Sequence, residues 1–186
     1  MSGHLYIIRH GITDWNKIHK LQGRTDIPLS DEGIEMAKKA HEECSNIHFD
    51  ICFCSPLTRS KQTAEYVLSG RDIPIIYDDR LREMNFGIYE GTTDYQTDPS
   101  VKVNVFFRDP EKYTFPVENG ENINDLMKRT GEFLDDKVYP LLEEGKDILI
   151  SGHGAMNSSI ICHVKKLPLK DFWKAGIENC KLIRLM

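Results

Sequence analysis

The chain has 186 residues, 24 Lys and Arg against 29 Asp and Glu, and a formal net charge of −5. With 40% apolar and 28% charged residues, it has the proportions and length of one globular domain with its own core, which excludes disordered, collagenous and coiled-coil chains. Apolar runs reach only four residues (5–8 and 51–54), far short of the ~20 a bilayer needs, and an acidic chain without a Lys/Arg block is a poor partner for nucleic acid.

Met1-Ser2-Gly3-His4 does not lead from a basic segment into a long apolar stretch, so no signal peptide is expected. Residues 5–8 form a continuous apolar run ending at Arg9-His10-Gly11, the pattern of a buried strand entering a tight turn. Leu29-Ser30-Asp31-Glu32-Gly33 opens a helix capped by Ser30, with Ile34, Ala37 and Ala40 or His41 behind it at helical spacing. Residues 51–54 read as a second buried strand closed by Ser55-Pro56. A helix over about 58–68 follows, turning Ala64, Val67 and Leu68 inward, and 73–77 reads as a third strand.

From 91 to 120 the periodicity fails. Pro99, Pro110 and Pro116 lie there among scattered aromatics, which predicts a flap at about 92–120 rather than core. Residues 121–142 form the longest helical stretch, with Ile123, Leu126, Met127, Phe133 and Leu134 inward. A fourth strand at 148–150 leads into Ser151-Gly152-His153-Gly154 and a helix to about 164, and 181–186 alternates as a last strand. This order predicts a three-layer α/β/α sandwich with a mostly parallel central sheet, residues 1–186 forming one domain. In such sheets ligands bind beyond the carboxyl ends of the strands, where both His-Gly pairs fall.

Arg9-His10-Gly11 sets a fork of donors beside an imidazole, at a turn whose glycine lets backbone approach a ligand. Arginine binds phosphate oxygens bidentately, and a neutral imidazole can attack phosphorus. His153 begins a helix, where backbone N–H groups collect negative charge, and Arg59 stands in the first turn of another. Glu83 lies in a loop with turn glycines and aromatics (81–91), and a carboxyl beside a bound phosphate is held protonated, ready to act as a general acid. Singly, each motif is more often structural than catalytic.

Together they resemble a known family. Arg9-His10-Gly11, Thr13, Trp15-Asn16, Gln22-Gly23, Asp26, Pro28-Leu29-Ser30 and Gly33 are similar to the opening of the histidine phosphatase superfamily, in its phosphoglycerate mutase-like branch. The 55–64 and 81–91 blocks, Asn119-Gly120-Glu121, His153-Gly154 and Asn179-Cys180 follow in the family's order. The resemblance implies a phosphoglycerate mutase-like fold with His10 as the nucleophile that accepts the phosphoryl group. It also implies that Arg9, Arg59 and His153 hold the phosphate oxygens, with Asn16 and the Gly154 backbone as further donors, and that Glu83 protonates the leaving oxygen and then activates water. Gln22 and Gly23 would lie where the family's loop touches the phosphate; Arg24 follows them with a side chain free to face solvent.

Two arginines, with His153 if it is protonated, supply charge for phosphoryl transfer without a metal. No His-Glu-x-x-His spacing occurs, and Cys44, Cys52, Cys54, Cys162 and Cys180 form no zinc pattern, so neither metal nor cofactor is expected. Five cysteines, an odd set mostly in apolar stretches, suit buried thiols in a reducing, cytoplasmic compartment. The expected partner is a small phosphorylated metabolite, with no membrane or nucleic acid, and the oligomeric state is left open.

The implied activity is metal-independent hydrolysis of small phosphomonoesters through phosphohistidine. Its alternatives are a 2,3-bisphosphoglycerate-dependent phosphoglycerate mutase and a catalytically silent phospho-ligand binder. A short flap and an end at Met186 favour hydrolysis over mutase chemistry, and the presence of His10, Glu83 and His153 together disfavours the silent binder. Tyr95, Phe106, Phe107, Tyr113 and Phe115 are expected chiefly to cover the core, with an apolar or ring-bearing substrate implied if some face the pocket. His4, His19, His41, His48 and His163 are expected to be ordinary surface or core residues, and Trp173 to pack against the domain body.

Overall fold

A computed structural model describes residues 3–115 and 117–186. Met1 and Ser2, part of the signal-peptide reading, and Pro116, one of the flap prolines, lie outside the described residues. Strands β1 (Leu5–Arg9), β2 (Ile51–Cys54), β3 (Ile75–Tyr77), β4 (Ile148–Gly152) and β5 (Leu182–Arg184) form one sheet in the order β3-β2-β4-β1-β5. All pairings are parallel except that of β5, which runs antiparallel to β1. The sequence expectation of a mostly parallel sheet therefore holds.

The apolar strands bury side chains on both faces. Leu5, Ile7, Phe53, Ile148 and Ile150 meet one group of core residues, while Tyr6, Ile8, Cys52, Cys54 and Leu149 meet another. Such alternation explains why these strands read as unbroken hydrophobic runs. Each fully buried Leu, Ile or Phe contributes roughly 1.5–3 kcal/mol by leaving water.

A short helix, α1 (Asp14–Lys17), follows β1, capped by Thr13. Helices α2 (Asp31–Glu43) and α3 (Thr58–Val67) cover the Tyr6 face through Ala37, Ala40, Ala64 and Val67. The predicted cap is present, with Ser30 Oγ accepting from the Gly33 N–H at 3.2 Å. The third strand is shorter than expected because Pro74 has no N–H for the ladder, although its carbonyl accepts from the Cys52 N–H.

The segment at 92–120 departs from the expectation of a flap outside the core. It contains α4 (Asn104–Arg108), too short to show a helical period in the sequence. Val103, Phe106 and Tyr113 are nevertheless fully buried in the main core. Phe106 packs against the rings of Phe86, Phe107, Tyr113, Phe172 and Trp173 at 5.1–5.7 Å between centroids. The expectation that the aromatics chiefly cover core holds for Phe106 and Tyr113, and Trp173 is pinned to the body by its Nε1–H, which donates to the Phe106 carbonyl.

The long helical stretch is α5 (Ile123–Phe133), a π-turn at Leu134–Val138, and α6 (Tyr139–Glu143). Pro140 cannot donate into the ladder, and the turn just before it widens so that the Tyr139 N–H reaches back to the Leu134 carbonyl. Helix α7 (Gly154–Lys165) packs beside α5 on the Leu5 face, burying Met156, Ile160 and Ile161. No helix among the described residues is long and apolar enough to cross a membrane.

Candidate active site

Parallel pairing sets Arg9 level with Gly152, so the residues that follow each strand, His10 and His153, emerge at the same sheet edge. The chain turns at once after His10. A Cβ on Gly11 would stand 2.5 Å from the Gly33 carbonyl oxygen, so only glycine permits α2 to lie this close. The backbone around His10 is held from four directions. Its N–H donates to the Gly152 carbonyl (2.9 Å) and its carbonyl accepts from Asn179 Nδ2 (2.6 Å). The Gly11 N–H donates to Thr63 Oγ1 (3.1 Å), and the Cys180 N–H to the Arg9 carbonyl (2.9 Å).

The His10 ring is buried, with Nδ1 2.6 Å from the Gly11 carbonyl oxygen. A carbonyl can only accept, so Nδ1 carries the proton and Nε2 keeps its lone pair. Arg59 Nε donates to that Nε2 at 3.2 Å. Burial, then the charges of Arg59 and Arg9, push the imidazole well below its ordinary value, so it is neutral at physiological pH.

Arg59 is fully buried in the first turn of α3. Its Nη1 and Nη2 donate to the carbonyls of Thr25 (2.9 Å) and Gly23 (2.7 Å). Burial lowers its pKa to about 10, which leaves it charged at neutral pH. Gly23 has φ of +56°, and a Cβ there would collide with Glu90 Oε1. The Glu90 carboxylate organises this turn by accepting the N–H groups of Arg24, Thr25 and Phe86 and the Thr25 hydroxyl. Arg9 reaches the Ile177 carbonyl through Nη1 (3.0 Å), while its buried Nε has no hydrogen-bond partner among the described residues.

Glu83 occupies the start of α7. Its Oε1 accepts from the N–H groups of Met84 (2.9 Å) and Met156 (3.0 Å), and its Oε2 from that of Ala155 (3.1 Å). A carboxylate at a helix N-terminus satisfies donors that would otherwise be orphaned. His153, the residue before α7, is completely buried, its ring centroid 5.2 Å from that of His10. Ser55 Oγ accepts from the Leu57 N–H and lies 2.7 Å from His153 Nε2, and with no other acceptor for its proton among the described residues its hydroxyl is assigned as the donor to that nitrogen. That tautomer leaves Nδ1–H as a donor, and Nδ1 is buried with no partner among the described residues. Burial, then Arg59 and His10, hold His153 well below its ordinary value. The condition attached to His153 in the sequence reading, that it be protonated to lend charge, is therefore not met by this neutral ring.

The structure brings Arg9, His10, Asn16, Gln22, Gly23, Arg59, Glu83 and Gly154 to the walls of a single cavity of about 390 Å³, with His153 buried beside the His10 ring. Several of them differ from expectation in detail. Asn16 Oδ1 accepts from the Thr13 backbone N–H (2.9 Å) and Gln22 Oε1 accepts from the Thr13 hydroxyl (2.9 Å), so each offers its amide N–H groups to a ligand. Gly154 lines the cavity, but the two N–H groups after it already serve Glu83. Arg24 does not simply face solvent; its Nη2 pairs with Glu121 Oε1 at 2.8 Å.

The sequence reading missed Ser55, Thr63 and Glu90 as organisers of the site. Ser55 and Thr63 lay inside the noted 55–64 block and Glu90 inside 81–91, yet no spacing rule marks them. The same cavity is also lined by Lys20 and Arg108 and by an apolar wall of Leu21, Phe86, Tyr95, Phe107 and Trp173. No three His, Cys, Asp or Glu side chains gather as a metal site among the described residues.

The profile of the histidine phosphatase superfamily (branch 1) matches residues 5–186. A 2,3-bisphosphoglycerate-dependent phosphoglycerate mutase of Nautilia profundicola is 33% identical, the match covering 94% of this chain and 90% of the relative. Among solved structures, the alpha-ribazole phosphatase of Shigella flexneri superposes with a TM-score of 0.83 at 26% identity, over 97% of this chain and 89% of that one. A phosphoserine phosphatase of Entamoeba histolytica, solved with phosphoserine, gives 0.83 at 27% identity, over 98% and 89%.

Proposed function

Because this chain belongs to the histidine phosphatase superfamily (branch 1), we propose that it hydrolyses small phosphomonoesters by way of a phosphohistidine at His10. The observation that carries the reading is the fixed tautomer of His10, which leaves a neutral Nε2 lone pair at the cavity beside the buried Arg59. In the first half-reaction His10 Nε2 attacks phosphorus, the ester P–O bond breaks, and Glu83 gives a proton to the leaving oxygen. In the second, Glu83 takes a proton from water as that water attacks phosphorus, and the N–P bond breaks to release phosphate. Arg9 Nε and His153 Nδ1, both buried without partners among the described residues, would bind phosphate oxygens, with Arg59 and the amides of Asn16 and Gln22. A buried donor left unpaired costs about 1–3 kcal/mol, which an oxyanion recovers.

The apolar wall of the cavity supports a substrate whose organic part is apolar or ring-bearing, and the segment at about 92–120 supplies Tyr95, Gln96, Phe107 and Arg108 to the cavity lining. Five buried free thiols support a reducing compartment such as the cytoplasm. A mutase is the second reading, favoured by relatives such as that of Nautilia profundicola. The experiment is phosphate release from a panel of 3-phosphoglycerate, phosphoserine, sugar phosphates, nucleoside monophosphates and ribazole phosphate with EDTA present, alongside 2,3-bisphosphoglycerate-dependent isomerisation of 3-phosphoglycerate. EDTA-resistant hydrolysis is the expected result. Isomerisation without net phosphate release establishes the mutase instead, and silence in both assays rejects the catalytic reading.

A further inference from the structure

Asn119-Gly120-Glu121 is a sequence block to which the mechanism above gives no role, and the Glu121 carboxylate is the hub of an ion cluster that is largely buried at Arg129 and Glu121 and one-third exposed at Arg24. Glu121 Oε1 accepts from Arg24 Nη2 (2.8 Å) and Arg129 Nε (2.8 Å), and Oε2 accepts from Arg129 Nη2 (3.1 Å) and the Asn85 N–H (2.9 Å). The Arg129 and Glu121 side chains are 13% and 14% exposed. Both arginines go on to the main chain of the acid. Arg129 donates to the carbonyls of Arg80, Arg82 (2.8 Å) and Glu83 (3.2 Å), and Arg24 Nε also lies on the Glu83 carbonyl (3.4 Å).

Those carbonyls belong to a segment with little regular structure. After the single 3-10 turn at Asp79–Leu81 the backbone runs without helix or strand through Glu83 to Phe86. The Glu83 carboxyl is seated on the N–H groups of Met84, Ala155 and Met156, but its main chain is held by no helix or strand of its own, whereas a proton donor must be placed within a fraction of an ångström of the leaving oxygen. Arg129 has the geometry to supply the missing constraint. Its planar fork spans several carbonyls at once, and α5 holds it rigidly with Glu121 as its counter-ion. Arg24 follows Gly23, whose carbonyl is bound to Arg59, so the cluster joins the turn beside the nucleophile to the loop that carries the acid.

We propose that Arg129 and Glu121 are positioning residues for the proton transfer at Glu83, clamping its main chain from behind while touching no substrate. The inference rests on the reading of Glu83 as general acid, and neither Arg129 nor Glu121 lines the cavity.

The test is leaving-group dependence. A misplaced acid harms esters whose alkoxide must be protonated to leave and spares those that leave unaided. Arg129→Lys, which keeps the charge and loses the fork, and Glu121→Gln, which keeps the shape and loses the charge, are compared with wild type and Glu83→Gln. The substrates are an alkyl phosphate and 2,4-dinitrophenyl phosphate, with folding checked by circular dichroism.

The expected result, read in kcat/KM because that ratio reports the phosphorylation half-reaction alone and not the water step that Glu83 also serves, is for both clamp variants a loss of roughly tenfold or more on the alkyl ester, with less than about threefold on the dinitrophenyl ester. Glu83→Gln should show the same selectivity at larger size. Equal losses on both esters, or none, overturn the proposal and make the cluster structural only. If Arg129→Lys does not fold, Glu121→Gln decides alone. Should Glu83→Gln itself lack leaving-group selectivity, the acid assignment falls and the clamp with it, whereas selectivity in Glu83→Gln without it in the clamp variants removes only the clamp.

Discussion

The two His-Gly pairs look alike in the sequence and end adjacent parallel strands, yet the structure gives their rings different free nitrogens. At His10 the Gly11 carbonyl claims Nδ1, and Nε2 is left facing Arg59. At His153 Ser55 claims Nε2, and Nδ1 is left without a partner among the described residues. Both rings are buried and neutral, for similar electrostatic reasons. In the proposed mechanism, what separates nucleophile from oxyanion donor is thus the hydrogen-bond partner on the far nitrogen. An acceptor there leaves a lone pair toward the phosphate, and a hydroxyl donor leaves an N–H.

The largest expected effect comes from removing the lone pair. His10→Ala should lower kcat by ~10³-fold or more, since covalent catalysis has no substitute nucleophile in the cavity. Brief incubation of wild type with a ³²P-labelled substrate, followed by an alkaline quench, should trap an acid-labile phosphoprotein that the variant lacks. Retention of label by His10→Ala would move the nucleophile elsewhere.

The other nitrogen tests the comparison more sharply. His153→Ala should cost about 10²-fold in kcat through loss of one oxyanion donor. Ser55→Ala removes only the hydroxyl that sets the tautomer and should cost about tenfold. If the donor role is correct, His153→Asn, which offers an amide N–H, should recover part of the loss, while His10→Asn should recover none. Equal recovery at the two positions would erase the distinction drawn between them.

The strand ends and both histidines were legible because a buried parallel strand is written as a continuous apolar run, and the ligand edge follows from its direction. Arg59 was legible from its place after such a strand. Lone side chains acting on distant main chain were not. Glu90 holds Arg24, Thr25 and Phe86, and Arg129 lies on α5 at a position that reads as an ordinary half-exposed helix face. Their partners are far apart in sequence, and no local period records a backbone carbonyl as a partner. The segment at 92–120 was misread as lying outside the core for a related reason. Phe106 and Tyr113 reach the core from a five-residue helix and a single 3-10 turn, neither long enough to display a repeat.

The smallest effect is on stability, and it follows from what the two rings share. Their native pKa values lie well below 6.5, whereas in the unfolded chain they return to that value. As pH falls through about 6.5, the unfolded state takes up protons that the native state refuses, so ν_U exceeds ν_N and stability drops with pH. Each ring contributes up to about 1.4 kcal/mol per pH unit in this window, until the native ring itself titrates. Denaturant melts between pH 7 and 5 should therefore show a slope that His10→Asn and His153→Asn each reduce and the double variant reduces most. Carboxylates titrate mainly below this range, so they leave the window readable. Asn keeps a polar side chain of similar reach, so the change in slope reports the lost proton rather than an emptied cavity. A double variant with the wild-type slope would mean that the rings take up protons in the native state as well. The neutrality on which both assignments depend would then fail.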